Sequence, residues 1–164
     1  MILAMLFILV FALFFGTWLA AIERALIMST PLVVRHELEI RGTPKRGLWI
    51  EKQYESIIQS VTFTKMLCFM CTVAGFVLLF DEGPISLSAF IIGPAIGWAA
   101  IWFFASVIAG SIAKAVPVGT ITRSWFLIRI ASLIHPLIKW WIDVVSEIAR
   151  RLTGANLKEA NGTL

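Results

Sequence analysis

Residues 1–22 read MILAMLFILVFALFFGTWLAAI, with no charged side chain among them. At the α-helical rise such a run covers roughly 33 Å, enough to cross a hydrocarbon core of about 30 Å. A signal peptide opens on a positive segment and carries a shorter apolar stretch. This run has neither feature and reads as a retained span, although Trp18-Leu19-Ala20-Ala21 resembles a cleavage site. The rest of the 164 residues agrees: 59% are hydrophobic and 15% charged, and the mean hydropathy is +0.89. Soluble proteins carry about 25% charged residues, and small domains leave much of their surface exposed. The composition therefore describes an integral membrane protein and excludes the soluble enzyme classes. The net charge of +4 and pI near 9.4 mark cytoplasmic loops rather than a nucleic-acid surface.

Working outward from the first span (about 1–23), the pattern breaks at Pro31–Glu55. This stretch holds Arg35, Arg41, Lys45, Arg46 and Lys52 among four glutamates. Gly42-Thr43-Pro44 reads as a turn between two short amphipathic surface helices, Leu32–Ile40 and Leu48–Tyr54. A second span covers about 56–80 with one internal charge, Lys65, and a third covers about 85–112. Asp81-Glu82-Gly83-Pro84 forms the turn between them. Gly93 and Gly97 in the third span either permit close helix contact or only mark a kink at Pro94. Val116–Thr122 reads as a linker.

The segment 123–152 reads as one long amphipathic interfacial helix, with a fourth span over Trp125–Val145 as the competing assignment and Pro136 as a kink in either case. Lys139, Asp143 and Glu147 share one of its faces. The tail 155–164 reads as disordered, and Asn161-Gly162-Thr163 as an acceptor pattern on the wrong side for glycosylation. The expected fold class is thus an all-α membrane protein with three transmembrane helices, surface helices after the first and an interfacial helix after the third. The five Lys/Arg of 31–55 and the seven after Ile112, against none in 81–84, put the N-terminus outside and the C-terminus in the cytoplasm.

This layout resembles the transmembrane domain of the CNNM/CorC family. The resemblance runs over about residues 5–154 and rests on the order and spacing of several short motifs. Ala20–Leu26 is similar to the small-small-Glu-x-Ala-Leu ending of the first span, and Arg35–Leu38 to the basic stretch after it. Ala109–Lys114 resembles Gly-Glu-Ile-Leu-Pro-Lys, Leu133–Leu137 resembles Leu-Leu-Tyr-Pro-Leu, and Ile142–Gly154 resembles the end of the interfacial helix. The resemblance implies a sodium-linked magnesium exporter, commonly a homodimer, in the bacterial inner (plasma) membrane.

The departures point the other way. Mg²⁺ requires oxygen ligands in near-octahedral geometry. The asparagine-rich motif of the family's second span falls near Thr62–Leu67, where no asparagine stands. Its third-span glutamate falls on Gly110, and its serines fall on Ala20 and Met28, with Ser29 and Thr30 close by. The family's cytoplasmic CBS pair has no counterpart in these residues, so its regulation is expected to be missing or supplied by another chain.

The ion-site-like residues are therefore Glu23, Ser29, Thr30, Thr62, Thr64, Lys65, Gly110, Ser111 and Lys114. Lys65 sits roughly 14 Å into its span, a depth that calls for a partner or for snorkelling to the interface. Glu23 is the carboxylate at matching depth. In the paired arrangement the ammonium stands where the family holds its cation. Arg24 and Lys114 read as boundary charges. Cys68-Phe69-Met70-Cys71 reads as core packing despite its redox-like spacing, and His135 as a structural residue. No catalytic constellation is present, so no enzymatic activity and no cofactor are expected. The leading functional expectation is a transport-deficient interaction or assembly subunit. Its partners would be the lipid bilayer and a second copy or a larger membrane complex, and not nucleic acid. The alternative is a divergent magnesium transporter using the remaining hydroxyls.

Overall fold

Helices account for every regular element in the computed structural model, which describes residues 2–79 and 87–153. Three helical segments are long and apolar enough to cross a membrane: Met5–Met28, Tyr54–Leu79 and Ile91–Ala115. Helix α1 (Ile2–Met28) continues past the first charged residues, Glu23 and Arg24, and stops only at Ser29-Thr30. Thr30 is extended and its hydroxyl accepts the Val33 N–H, while Pro31 opens α2 (Pro31–Ile40) at a position that needs no donor. Gly42 (φ +75°) takes the left-handed conformation that ends α2, and the N–H groups of Gly42 and Thr43 bond the Glu39 and Leu38 carbonyls at 3.0 and 2.8 Å.

Helix α3 (Pro44–Lys52) folds back on α2. A Cβ at Gly47 would lie 3.1 Å from the Arg35 carbonyl oxygen, so the approach requires glycine. Arg35 ties the hairpin through Glu39 at 2.8 Å and Glu51 at 2.9 Å, and these carboxylates raise its pKa above the usual arginine value.

Helix α4 (Tyr54–Leu79) lies along α1, and α5 (Leu87–Trp102) lies along α4. The α4–α5 approach settles the role of the two glycines. A Cβ on Gly93 would meet Val77 Cα at 2.8 Å, and one on Gly97 would meet Val73 Cα at 3.3 Å, so both bring backbones together. The third span is not one regular helix. Phe103–Ile108 forms a π-helical segment, which α6 (Ala109–Ala115) then continues. Nothing in the pattern of apolar residues announces that change of register.

Two expectations need correction beyond this point. Val116–Thr122 is not a linker, because Pro117 starts a further helix, α7 (Pro117–Arg123), after the break at Val116. Nor is 123–152 one helix. It divides into α8 (Trp125–Ser132) and α9 (His135–Thr153), which meet at a bend of 46°. The bend falls where Pro136 removes a backbone donor and disfavours helix in the residue before it. The pair has span-like length and apolarity only if both helices are counted as one broken segment. The expected 81–84 turn and the tail after Gly154 lie outside the described residues.

The core is concentrated at the end of the bundle where the short helices gather. Leu19, Ile22 and Leu26 of α1 pack with Val34 and Leu38 of α2, Ile50 of α3, and Ile57 and Val61 of α4. Ile121 of α7 and Ile128 of α8 complete it. At the other end α1 exposes Leu6, Phe7, Val10, Phe11 and Phe14, a surface suited to lipid. Two side-chain tethers join elements distant in sequence, one at the short helices and one between α1 and α4. Trp18 Nε1 donates to the buried Ser124 hydroxyl at 2.8 Å, fixing the junction of α7 and α8. The Tyr54 hydroxyl bonds the terminal carbonyls of α1, at Leu26 and at Ser29, the latter at 2.6 Å.

Candidate functional site

Glu23 and Arg24 are neighbours on α1, about 100° apart around the helix. They therefore face different partners. Glu23 turns to α4, where Lys65 Nζ donates to its Oε2 and the Thr62 hydroxyl donates to its Oε1. Both carboxylate oxygens are thus engaged. The Lys65 and Glu23 side chains are 14% and 13% exposed, a setting in which an unpaired charge would be costly. Of the two arrangements open to Lys65, the structure contains the ion pair.

Arg24 turns to the third span, where it has a partner that a boundary charge does not call for. Its Nη1 donates to the Ser106 carbonyl inside the π-helical segment at 3.0 Å. The guanidinium passes over Gly110, where a Cβ would stand 2.4 Å from Nη1. The missing side chain at 110 is the space that admits the arginine. Ala20, Ala21 and Ala109 pack around this crossing, so the α1–α6 contact is built from small residues and leaves room for one long side chain.

The nine residues singled out from the sequence divide accordingly. Glu23, Thr62, Lys65 and Gly110 belong to one cluster, Gly110 through Arg24. The other five do not join it. Thr30 caps α2, and Ser29 offers its carbonyl to Tyr54. The Thr64 and Ser111 hydroxyls bond carbonyls one turn back on their own helices, Ser60 at 2.8 Å and Val107 at 2.7 Å. Lys114 is exposed in the last turn of α6, as a boundary charge would be. Two participants were missed, Arg24 and the Ser106 carbonyl. Gly110, standing at the family's glutamate position, was the available signal for Arg24. The carbonyl had none, because it depends on the π-helical register.

Chemically the cluster holds two cations and one carboxylate. Its oxygen atoms already accept hydrogen bonds from the chain's own ammonium, guanidinium and hydroxyl groups. Mg²⁺ needs about six oxygens at roughly 2.1 Å. The residues do not fit that demand as arranged, since a metal would have to displace Lys65 from Glu23. Among the described residues no group of three or more His, Cys, Asp or Glu side chains is placed to hold a metal ion. Beside Lys65 an apolar groove of about 520 Å³ opens between α4 and the third span, walled by Met70, Val73, Trp98 and Trp102. Cys68 and Cys71 are free thiols on α4, and Cys68 packs at the close approach to Gly16 of α1. No family model matches the chain, and neither a curated protein nor a solved structure matches it.

Proposed function

We propose that this chain is a non-transporting membrane protein of CNNM/CorC-like design, acting as an interaction or assembly subunit. One observation carries the reading: Glu23 spends both its oxygens on Thr62 and Lys65, while Arg24 occupies the space over Gly110. The bundle thereby ties α1 to α4 and to the third span through side chains of its own. A fixed ammonium at this position repels a divalent cation, and the groove beside it is walled mainly by apolar side chains rather than the oxygen atoms a cation path needs. The groove between α4 and the third span, with Met70, Trp98 and Trp102 exposed, supports a role in packing against another membrane helix, from a second copy or a larger complex. The proposal includes residence in a bacterial inner membrane with the N-terminus outside and the basic loops in the cytoplasm, on the Lys/Arg distribution.

The second reading, a divergent sodium-linked magnesium transporter, draws on the Glu23 and Thr62 oxygens that already converge. Calorimetric titration of Mg²⁺ into the protein in nanodiscs, run beside Lys65→Asn, separates the two. No binding by the natural chain supports the assembly reading, and a gain of binding in Lys65→Asn adds that an ion position has been closed. A saturating isotherm that sodium weakens overturns it in favour of transport.

A further inference from the structure

A second cluster of cations lies between α3 and α8. Trp49 and Trp125 meet edge to face with ring centroids 5.1 Å apart. Each ring carries an arginine from the other helix. Arg46 of α3 sits 5.4 Å from the centroid of Trp125, and Arg129 of α8 sits 5.6 Å from that of Trp49. The crossing is reciprocal, so α3 and α8 each supply one ring and one guanidinium.

Among the described residues these two arginines are the ones stacked on aromatic rings, and they share with Arg123 of α7 the lack of a carboxylate within ion-pair distance. Arg35, Arg41, Arg150 and Arg151 all have carboxylate partners. Arg46 and Arg129 meet no carboxylate within ion-pair distance among the described residues, and both are exposed. Stacking on a ring face leaves the edge donors of a guanidinium free, and those donors match a phosphate in a two-point contact. The surroundings indicate where that phosphate comes from. Phe126, Arg129, Ile130 and Leu133 follow one another at helical spacing, so Arg129 shares its face of α8 with three exposed apolar side chains. Phe126 is 72% and Leu133 74% exposed, and the apolar surface continues into α9 through Leu137, Trp140 and Trp141. Paired tryptophans are also the residues that favour headgroup depth.

We infer that the Arg46–Trp125 and Trp49–Arg129 crossing is a binding site for the headgroup of an anionic phospholipid. The phosphate meets the free edges of the two guanidiniums, and the acyl chains lie along Phe126, Ile130 and Leu133. This site is independent of whether Glu23 and Lys65 close an ion position. It also gives α8 a reason to stay at the membrane surface while carrying an arginine on its apolar face.

The test is native mass spectrometry of the full chain released from nanodiscs containing equal amounts of phosphatidylglycerol and phosphatidylcholine. The natural chain is expected to retain phosphatidylglycerol over phosphatidylcholine by roughly tenfold or more, as two arginines at the surface imply. Combined Arg46→Gln and Arg129→Gln should bring the two lipids to parity, with circular dichroism confirming helical content. Arg41→Gln, which removes a charge already paired with Glu37, should leave the preference intact. If the double variant loses its helices, the single variants decide, and each should lower the preference. Equal retention of both lipids by the natural chain overturns the inference. So does a preference that survives loss of either arginine unchanged.

Discussion

Lys65 on α4 donates to Glu23 on α1, so the one lysine of the second span is neutralised by the one carboxylate of the first. Both lie deep in their helices, Lys65 roughly 16 Å along α4 from Tyr54. The pair sits in surroundings where one charge without the other is expensive, and Thr62 satisfies the remaining carboxylate oxygen.

Lys65→Met should therefore destabilise the chain by about 3 kcal/mol, because it leaves the Glu23 carboxylate buried with only a hydroxyl partner. Thermal unfolding in detergent measures the loss. Combining it with Glu23→Gln should recover most of the stability, since the double change removes both charges. A double variant as weak as Lys65→Met would show that the charge pair is not the source of the effect.

Gly110→Ala should cost less, about 1 kcal/mol, the scale of one hydrogen bond. Its Cβ meets only the end of the flexible Arg24 side chain, which can swing away from the Ser106 carbonyl. Arg24→Gln should then cost little further in the Gly110→Ala background, so a double-mutant cycle should show strong coupling. Additive losses would separate the two residues.

Gly93→Ala meets backbone instead, with Val77 Cα at 2.8 Å from the new methyl group. Neither helix can yield locally, so α5 must move off α4 at a cost of about 2 kcal/mol. Gly42→Ala, at φ +75° in open space, should cost only about 1 kcal/mol, through backbone strain alone. Unfolding midpoints of the two variants should keep that order.

The end of α9 should respond to acid. Hydrogen bonds from Arg150 and Arg151 hold the Glu147 carboxyl down to about 2, from an ordinary value of 4.5. A depressed folded-state value means that the contribution is complete above about 4.5 and is lost as the pH falls towards 2. Amide protection factors in the last turns of α9, with the intrinsic pH dependence of exchange divided out, should fall over that interval. Glu147→Gln should show the lower protection factors throughout and no such step.

Much of this architecture is readable from residue order, because lipid forces a simple pattern. Uncharged runs of span length, the basic loop and the Gly-Thr-Pro turn each reflect local chemistry. The reading failed where a helix depends on distant contacts. Val116–Thr122 has Pro and Gly yet is helical, since Thr120 and Ile121 bury against the core and Pro117 suits a first turn. The expected kink at Pro136 falls at the bend between α8 and α9, whereas the junction of α7 and α8 at Ser124, whose hydroxyl is held by Trp18 more than a hundred residues earlier in the chain, had no local signal. The five stray hydroxyls and charges of the expected ion site were grouped by resemblance and by nearness in sequence. The break between α1 and α2 took Ser29 and Thr30, and the Thr64 and Ser111 hydroxyls bond their own helices instead.

Residue order alone supplies three runs that are long and apolar enough to cross a membrane. It also requires that Lys65 be paired or snorkel to the interface, because avoiding a lone buried charge is a demand the segment carries within itself. Which partner each cation takes is a different matter. Glu23 and Arg24 are adjacent in sequence but diverge by about 100° on α1, so their choices wait for α4 and the third span to arrive on either side. Only that packing, with the π-helical turn lending a carbonyl and Gly110 lending space, decides that both cations are held by the protein itself.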